Sequence, residues 1–336
     1  MVTVSRLKQW TKRLPNARIL VIGDIILDEF IWGDVNRISQ EAPVPVVWVK
    51  SESFMPGGAS NVANNLNALG SQVFLCGVIG SDYRGELLRQ ELQKRGMDIS
   101  GLIVDGTRPT TLKTRVVAHH QQVVRVDREK ITEITGSALR QVLEYVHRRV
   151  KESDAILIED YGKGVITSVL LKEIVALAKS SRKLITVDPK ESHFNYYRGV
   201  TVITPNQFEA ANAVGSKIIG NGNLHQVGKL LLKRLRCHSV LITLGENGMC
   251  LFESSGRVTH IPTVAQEVFD VSGAGDTVIA VLTSALSVGA TMEESAYLAN
   301  FAAGIVVGKV GVAVVTRQEL LDRIQKDWPR LKAMTQ

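Results

Sequence analysis

The chain has 336 residues, 45% of them hydrophobic and 5% aromatic, with a formal net charge of +7. Such a length suits one large α/β domain or two medium ones, and no apolar stretch is long enough to span a bilayer. The basic residues are spread out, without the dense stripe and interleaved aromatics of a nucleic-acid binder, so the expected partners are anionic small molecules, with no nucleic acid and no membrane.

In chain order, residues 1–16 are mixed and charged, without a signal-peptide core. Arg18–Gly23 reads as a buried strand, 61–69 as a helix ended by Gly70, 73–79 as a strand and 85–95 as a helix closed by Gly96. Further short buried strands are expected at Ala155–Glu159, 184–187, 200–204 and Ser239–Thr243, with helices at 134–150, 165–179, 208–214 and 224–236. A strand-like segment, 264–269, precedes a long helix of small residues starting near Asp276. This rhythm predicts an α/β fold with a mainly parallel sheet covered on both faces. Residues 30–53 and 110–127 break it. Their partial alternation, with Pro43 and Pro45 suited to an edge, predicts an exposed antiparallel flap that serves as a lid, a dimer contact or both. Cys76, Cys237 and Cys250 are scattered among apolar neighbours without metal-ligand spacing, and read as buried thiols of a cytoplasmic protein.

Polar and glycine-rich stretches recur at strand ends, where ligands collect in open α/β sheets. After the first strand come Asp24 and Asp28, two acids that can accept from sugar hydroxyls or cap a turn. In residues 56–63, Gly57 and Gly58 permit close backbone approach and Asn61 offers a donor and an acceptor to a polyol; a glycine turn with a polar cap is the plainer alternative. Lys163, within Asp160-Tyr161-Gly162-Lys163-Gly164, and Lys190, after Asp188-Pro189, can each meet a transferring phosphate, although exposed lysines are common. Asn206 and Glu209 stand three apart at a helix start, where they can position Mg²⁺ through water or form a capping box. Thr243 and Gly245 lie in a glycine turn that can border a nucleotide. The chain has no P-loop, no dinucleotide-binding glycine triplet after the first strand and no zinc pattern. His119 and His120, in the flap, read as solvated or packed.

The most informative stretch is Asp270-Val271-Ser272-Gly273-Ala274-Gly275-Asp276-Thr277. A turn of this kind points several N–H groups and the positive end of a helix dipole at one spot, which wants an anion. A carboxylate there repels the anion. Asp276 makes sense as a base that takes a proton from a hydroxyl attacking phosphorus; the plainer alternative is a helix cap.

Taken together, the Asp-x-x-Gly-Ala-Gly-Asp element at 270–276, Gly57-Gly58 with Asn61, and Asn206 with Glu209 resemble the ribokinase-like carbohydrate kinases of the phosphofructokinase-B family, over about residues 16–325. Four local texts are most similar to the kinases of that family acting on D-glycero-β-D-manno-heptose 7-phosphate: residues 23–28, 37–46, 160–164 and 303–311. Ser39-Gln40-Glu41 stands where relatives read Ser-Pro-Glu, which loosens a turn but removes no chemical group. The resemblance implies a three-layer α/β/α kinase domain over 1–330, with lid strands from 30–53 and 110–127 and a tail at 331–336. It implies transfer from ATP, with Mg²⁺, to the anomeric O1, giving a heptose 1,7-bisphosphate for ADP-heptose and lipopolysaccharide core assembly. It also implies a homodimer through the flap. Asp276 is the expected base, with the amides of Gly273, Ala274 and Gly275 holding the phosphoryl group. Asp28, Gly57, Gly58 and Asn61 are expected at the sugar, and Lys113, Arg115 and Arg125 at its 7-phosphate. Lys190, Asn206, Glu209, Thr243, Gly245 and Asn300 are expected at the nucleotide, Asn206 and Glu209 also at Mg²⁺ through water. The rivals are another sugar or sugar phosphate as acceptor, or a catalytically silent sugar-binding protein, which would gain nothing from Asp276. Nothing resembling the adenylylating domain of the related bifunctional proteins follows Gln336, so a kinase-only protein or a kinase fragment is expected.

Overall fold

Runs such as Ile19 to Ile22 and Ile156 to Ile158 are apolar on both faces, and only an inner strand covered from both sides buries them fully. They form the middle of a nine-stranded sheet in the computed structural model, which describes residues 2–119, 121–216, 222–265 and 267–335. The elements in chain order are α1 (Val4–Arg13), β1 (Arg18–Gly23), β2 (Ile25–Ile38), β3 (Pro45–Gly58), α2 (Ala59–Ala68), β4 (Gln72–Gly80), α3 (Tyr83–Lys94), β5 (Leu102–Asp105), β6 (Thr111–Ala118), β7 (Gln121–Arg128) and α4 (Gly136–Arg149). They continue with β8 (Ala155–Glu159), α5 (Ser168–Ser181), β9 (Leu184–Asp188), β10 (Val202–Ile203), α6 (Gln207–Ala213), α7 (Leu224–Leu235), β11 (Ser239–Thr243), β12 (Met249–Glu253), β13 (Val258–Ile261), α8 (Ala274–Ser287), α9 (Met292–Val306) and α10 (Arg317–Thr335).

The large sheet runs β13-β12-β11-β10-β9-β8-β1-β4-β5. It is parallel from β11 to β5, and β12 and β13 close one edge antiparallel. Helices α1, α2, α3, α8, α9 and α10 bury one face, around Val21, Leu66, Ile279 and Phe301. Helices α4 to α7 bury the other, around Ile22, Val146, Ile174 and Phe252. This is the three-layer α/β/α arrangement expected from the rhythm of the chain. From β1 the chain first builds outward through β4 and β5, then returns to β8 on the other side of β1. The carboxyl ends of β1 and β8 are therefore a topological switch point, where ligands bind in such folds.

The flap is a second sheet, β3-β2-β6-β7. One expectation needs correcting: β2 and β6 at its centre are parallel, and only the outer pairs are antiparallel. Each of these two strands enters the flap from the main-sheet side, so they run in the same direction. The strand expected at 264–269 is also absent among its described residues: these are irregular, and the amides of Phe269 and Asp270 bond the Val307 carbonyl. Its apolar residues pattern like a strand, but none of those described pairs with a strand of either sheet, and Val268 and Phe269 stay exposed. The tail expected at 331–336 is helical through Thr335, as the end of α10. His120 and Gln266 lie outside the described residues. The cysteines are buried and unpaired, and burial pushes the thiols of Cys76 and Cys237 up to about 12. No described helix is long and apolar enough to cross a membrane.

The N-terminal helix is tied to the body through Glu294 at the start of α9. This carboxylate pairs with Arg6, accepts from Trp10 Nε1 at 3.0 Å and closes a capping box with Thr291. Burial alone would raise its pKa, but Arg6 and Thr291 hold it down at about 2. A depressed carboxyl contributes stability that is complete above its ordinary value of 4.5 and lost as pH falls toward 2. Glu294→Gln is expected to cost about 2 kcal/mol at pH 7, a figure discounted because Arg6 is half-exposed. Denaturant unfolding should show the gap to wild type narrowing between pH 4.5 and 3.

Candidate active site

Gly273 caps α8 with φ +75°, a left-handed conformation that suits glycine, and this turn brings the first amides of α8 to the switch point. The amide of Ala274 bonds the Val271 carbonyl at 3.2 Å, which corrects the expectation that all three turn amides face a ligand. The amides of Gly273 and Gly275 have no partner among the described residues. Asp276, one turn into α8, is 4% exposed, yet it lines a small polar cavity. Asn61 Nδ2 donates to its Oδ2 at 2.6 Å, and the Tyr161 hydroxyl donates to its Oδ1 at 3.0 Å. Burial raises its pKa, and the two donors oppose that rise. A carboxylate held this way is basic enough to take a proton and is fixed in orientation.

The cavity around Asp276 holds about 120 Å³. It brings together Asp28, Gly58, Asn61, Lys113, Arg115, Gly273 and Asp276 from the expected set. Asp28 comes from β2 and is ion-paired with Arg115, whose guanidinium lies 5.3 Å from the Phe30 ring centre. Gly57 does not line the cavity, but it must lack a side chain, because a Cβ there would lie 2.2 Å from Asp28 Oδ2. Burial lowers the pKa of Lys113 against the opposing pull of Asp28. Arg125 stands outside the cavity, opposite Arg115 in the β6–β7 ladder, and is paired with Asp127.

Across the same helix start lies a larger, mostly apolar cleft of about 460 Å³. Thr243, Gly245, Ala274, Gly275 and Asn300 line it, with Val268, Val271 and Val307 among the apolar walls. Asn300 is anchored by its bond to the Pro262 carbonyl at 2.8 Å. The glycine turn is thus a wall common to a small polar cavity and a larger apolar one. Lys190, Asn206 and Glu209 line neither. Asn206 and Glu209 form a full capping box on α6, so the plainer of their two readings describes their side chains here. Burial raises the Glu209 pKa against the pull of Lys190. Lys163 is turned away from phosphate chemistry: its ammonium lies 2.7 Å from Glu129.

Two acids that sequence reasoning missed complete the site. Carboxylate oxygens of Glu159, Asp188 and Asp276 all lie within 4.8 Å of one another. Burial, then neighbouring carboxylates, raises the pKa of Glu159 and of Asp188 well above the ordinary range. Glu159 Oε2 is buried and has no hydrogen-bond partner among the described residues. Converging hard oxygen donors with one lone pair unsatisfied suit a small divalent cation such as Mg²⁺.

An orienting pair of donors on a buried carboxylate, with free helix-start amides behind it, is machinery for moving a phosphoryl group onto a hydroxyl. Comparison with known proteins agrees. The model of the pfkB family of carbohydrate kinases matches residues 16–318, and the chain belongs to that family. Among curated relatives, the bifunctional protein HldE of Citrifermentans bemidjiense is 46% identical over 93% of this chain and 64% of its own length. The bifunctional protein HldE of Helicobacter hepaticus is 47% identical over 91% of this chain and 64% of its own length. The chain thus spans less than two thirds of the length of either relative. The solved Arabidopsis thaliana ribokinase, complexed with ribose and ATP, superposes with a TM-score of 0.75 at 19% identity, covering 92% of this chain and 99% of that one. Phosphofructokinase-2 of Escherichia coli, in complex with substrates and products, gives 0.76 at 17% identity, covering 94% and 99%. At such identities the likeness establishes a ribokinase-like fold.

Proposed function

We propose that the chain transfers the terminal phosphoryl group of ATP to the anomeric O1 of D-glycero-β-D-manno-heptose 7-phosphate, giving the 1,7-bisphosphate used for ADP-heptose and lipopolysaccharide core assembly. The observation that carries the reading is the position of Asp276, in a polar cavity that also holds Lys113 and Arg115, next to the Ala274-Gly275 turn that lines the larger apolar cleft. Its carboxylate takes the O1 proton while the Gly273 and Gly275 amides meet the charge on the migrating phosphoryl group. Asp28 and Asn61 fix the sugar, and Thr243, Gly245 and Asn300 border the nucleotide. Glu159 and Asp188, with Glu209 through water, would hold Mg²⁺, which neutralises phosphate charge when bound. The similarity to proteins named HldE supports the heptose acceptor.

The 7-phosphate falls to Lys113, Arg115 and Arg125. Arg115 and Arg125 stand opposite each other in the β6–β7 ladder, paired with Asp28 and Asp127 in turn, so two guanidiniums lie at one edge of the sugar cavity. Arg125→Ala should therefore raise KM for the phosphorylated sugar about tenfold and leave KM for ATP unchanged. Equal effects on both would remove Arg125 from the phosphate site.

The reading also makes the protein a cytoplasmic homodimer joined through the flap. Ile38, Val44, Trp48 and Val126 give the flap an exposed apolar surface that a second copy would cover. The deciding assay couples ADP release to a panel of sugars and sugar phosphates, with the product mapped by NMR. Phosphorylation at O1 of the heptose, at the highest kcat/KM of the panel, is the expected result. Faster transfer to a hexose phosphate or to ribose overturns the acceptor assignment.

A further inference from the structure

The sequence offers Lys163 as the functional group of Asp160-Tyr161-Gly162-Lys163-Gly164, but in the fold Tyr161 is the residue that reaches the site. Its hydroxyl donates to Asp276 Oδ1 at 3.0 Å, and its ring sits 4.8 Å from Lys113 Nζ in a cation–π contact. It lines the polar cavity with both of them. The loop carrying it is pinned from two strands. Asp24, leaving β1, accepts from the amides of Tyr161, Lys163 and Val165 at 2.9, 2.9 and 3.0 Å. Asp160, leaving β8, accepts from the Gly162 amide at 2.8 Å and the Tyr197 hydroxyl at 2.6 Å. Asp24 and Asp160 are buried, and this amount of hydrogen bonding exceeds what a surface turn needs.

We propose that Tyr161 is a positioning residue with two separate functions: its hydroxyl sets the orientation of the Asp276 carboxylate, and its ring sets the position of the Lys113 ammonium. A carboxylate with a single donor rotates about that bond. Asn61 on Oδ2 and Tyr161 on Oδ1 fix its plane and leave one lone pair on each oxygen for the incoming hydroxyl. Lys113 has no carboxylate within salt-bridge distance among the described residues, so the aromatic face is what holds its head near Asp28 and Arg115. Base and flap cation are thereby registered against one rigid side chain, and the acceptor's reacting and charged ends are placed together.

This inference rests on Asp276 as the base, part of the function proposed above, but not on which sugar is the acceptor. The test compares the full chain with Tyr161→Phe, which keeps the ring and loses the hydroxyl, and Tyr161→Leu, which loses both. Each is assayed with the panel sugar that wild type turns over fastest. Tyr161→Phe should lower kcat about 10- to 100-fold with KM for ATP and acceptor within about twofold of wild type. Tyr161→Leu should show the same loss in kcat and, in addition, raise KM for the acceptor about fivefold. Wild-type kcat in the Phe variant, or a rise in KM for ATP parallel to that for the acceptor, overturns the inference. If the Leu variant does not fold, the Phe variant decides alone through its split between kcat and KM. A wild type that prefers another sugar sinks the heptose assignment and leaves this comparison intact.

Discussion

Asp276→Asn is expected to lower kcat by about 10²- to 10⁴-fold while ATP still binds. The substitution preserves size, and one oxygen remains to accept from Asn61 or Tyr161, so the helix start keeps its shape. What disappears is the basic oxygen that Asn61 and Tyr161 orient beside the polar cavity. The cleft proposed for the nucleotide is built from other side chains, Thr243 and Asn300 among them, and from backbone that the change does not touch. Calorimetric titration with ATP should therefore give a Kd within about threefold of wild type, while the coupled assay shows almost no turnover. Retention of more than about a tenth of wild-type kcat would contradict the base assignment, since a positioned base contributes far more than that. Glu159 and Asp188 sharpen the test. The charge on Asp276 raises the pKa of both, so the amide variant relieves repulsion within the buried acid cluster and should be at least as stable as wild type. Lost turnover in a stabilised protein cannot be blamed on misfolding.

Much of this architecture was legible in the chain because its signals are local. The parallel strands announce themselves as short runs of β-branched residues, and Ala155–Glu159 and Ser239–Thr243 fall where such runs place them. Asn61 and Asp276 stand beside glycine turns, which mark strand ends and helix starts in any sequence. The remainder depends on contacts no local pattern encodes. Tyr161 meets Asp276 across 115 positions, and nothing near Tyr161 reveals which end of the loop faces inward. Lys163 looks as available as Lys190 until Glu129, on another segment, is seen to hold its ammonium. Glu159 and Asp188 end apolar strands and read as strand-terminating polar residues. Their convergence follows from the pairing of β8 with β9, which places them side by side. The described residues of the apolar run at 264–269 do not form a strand for a similar reason: the amides of Phe269 and Asp270 bond the Val307 carbonyl, at the end of α9, a contact no local pattern encodes.

Gly273→Ala should lower turnover sharply by adding a single methyl group. Two penalties fall at one position. The residue sits at φ +75°, where an L side chain is strained by about 1–2 kcal/mol. The new Cβ would also lie 2.8 Å from Asn61 Nδ2, closer than such atoms approach in folded proteins. Asn61 is fully buried and its amide holds Asp276, so it cannot yield without releasing the base. The alternative, a shift of the turn, moves the amides of Gly273 and Gly275 away from the phosphoryl position. Either response spoils geometry to which transfer is sensitive, and kcat is expected to fall about 10²-fold. Gly199→Ala separates strain from collision. Gly199 has φ +81°, and nothing lies within 4 Å of the Cβ it would gain. It should lose comparable stability by denaturant unfolding and keep wild-type kcat. If instead the two variants lose turnover equally, the effect belongs to backbone strain in general, and the contact between Gly273 and Asn61 is not what keeps Asp276 in place.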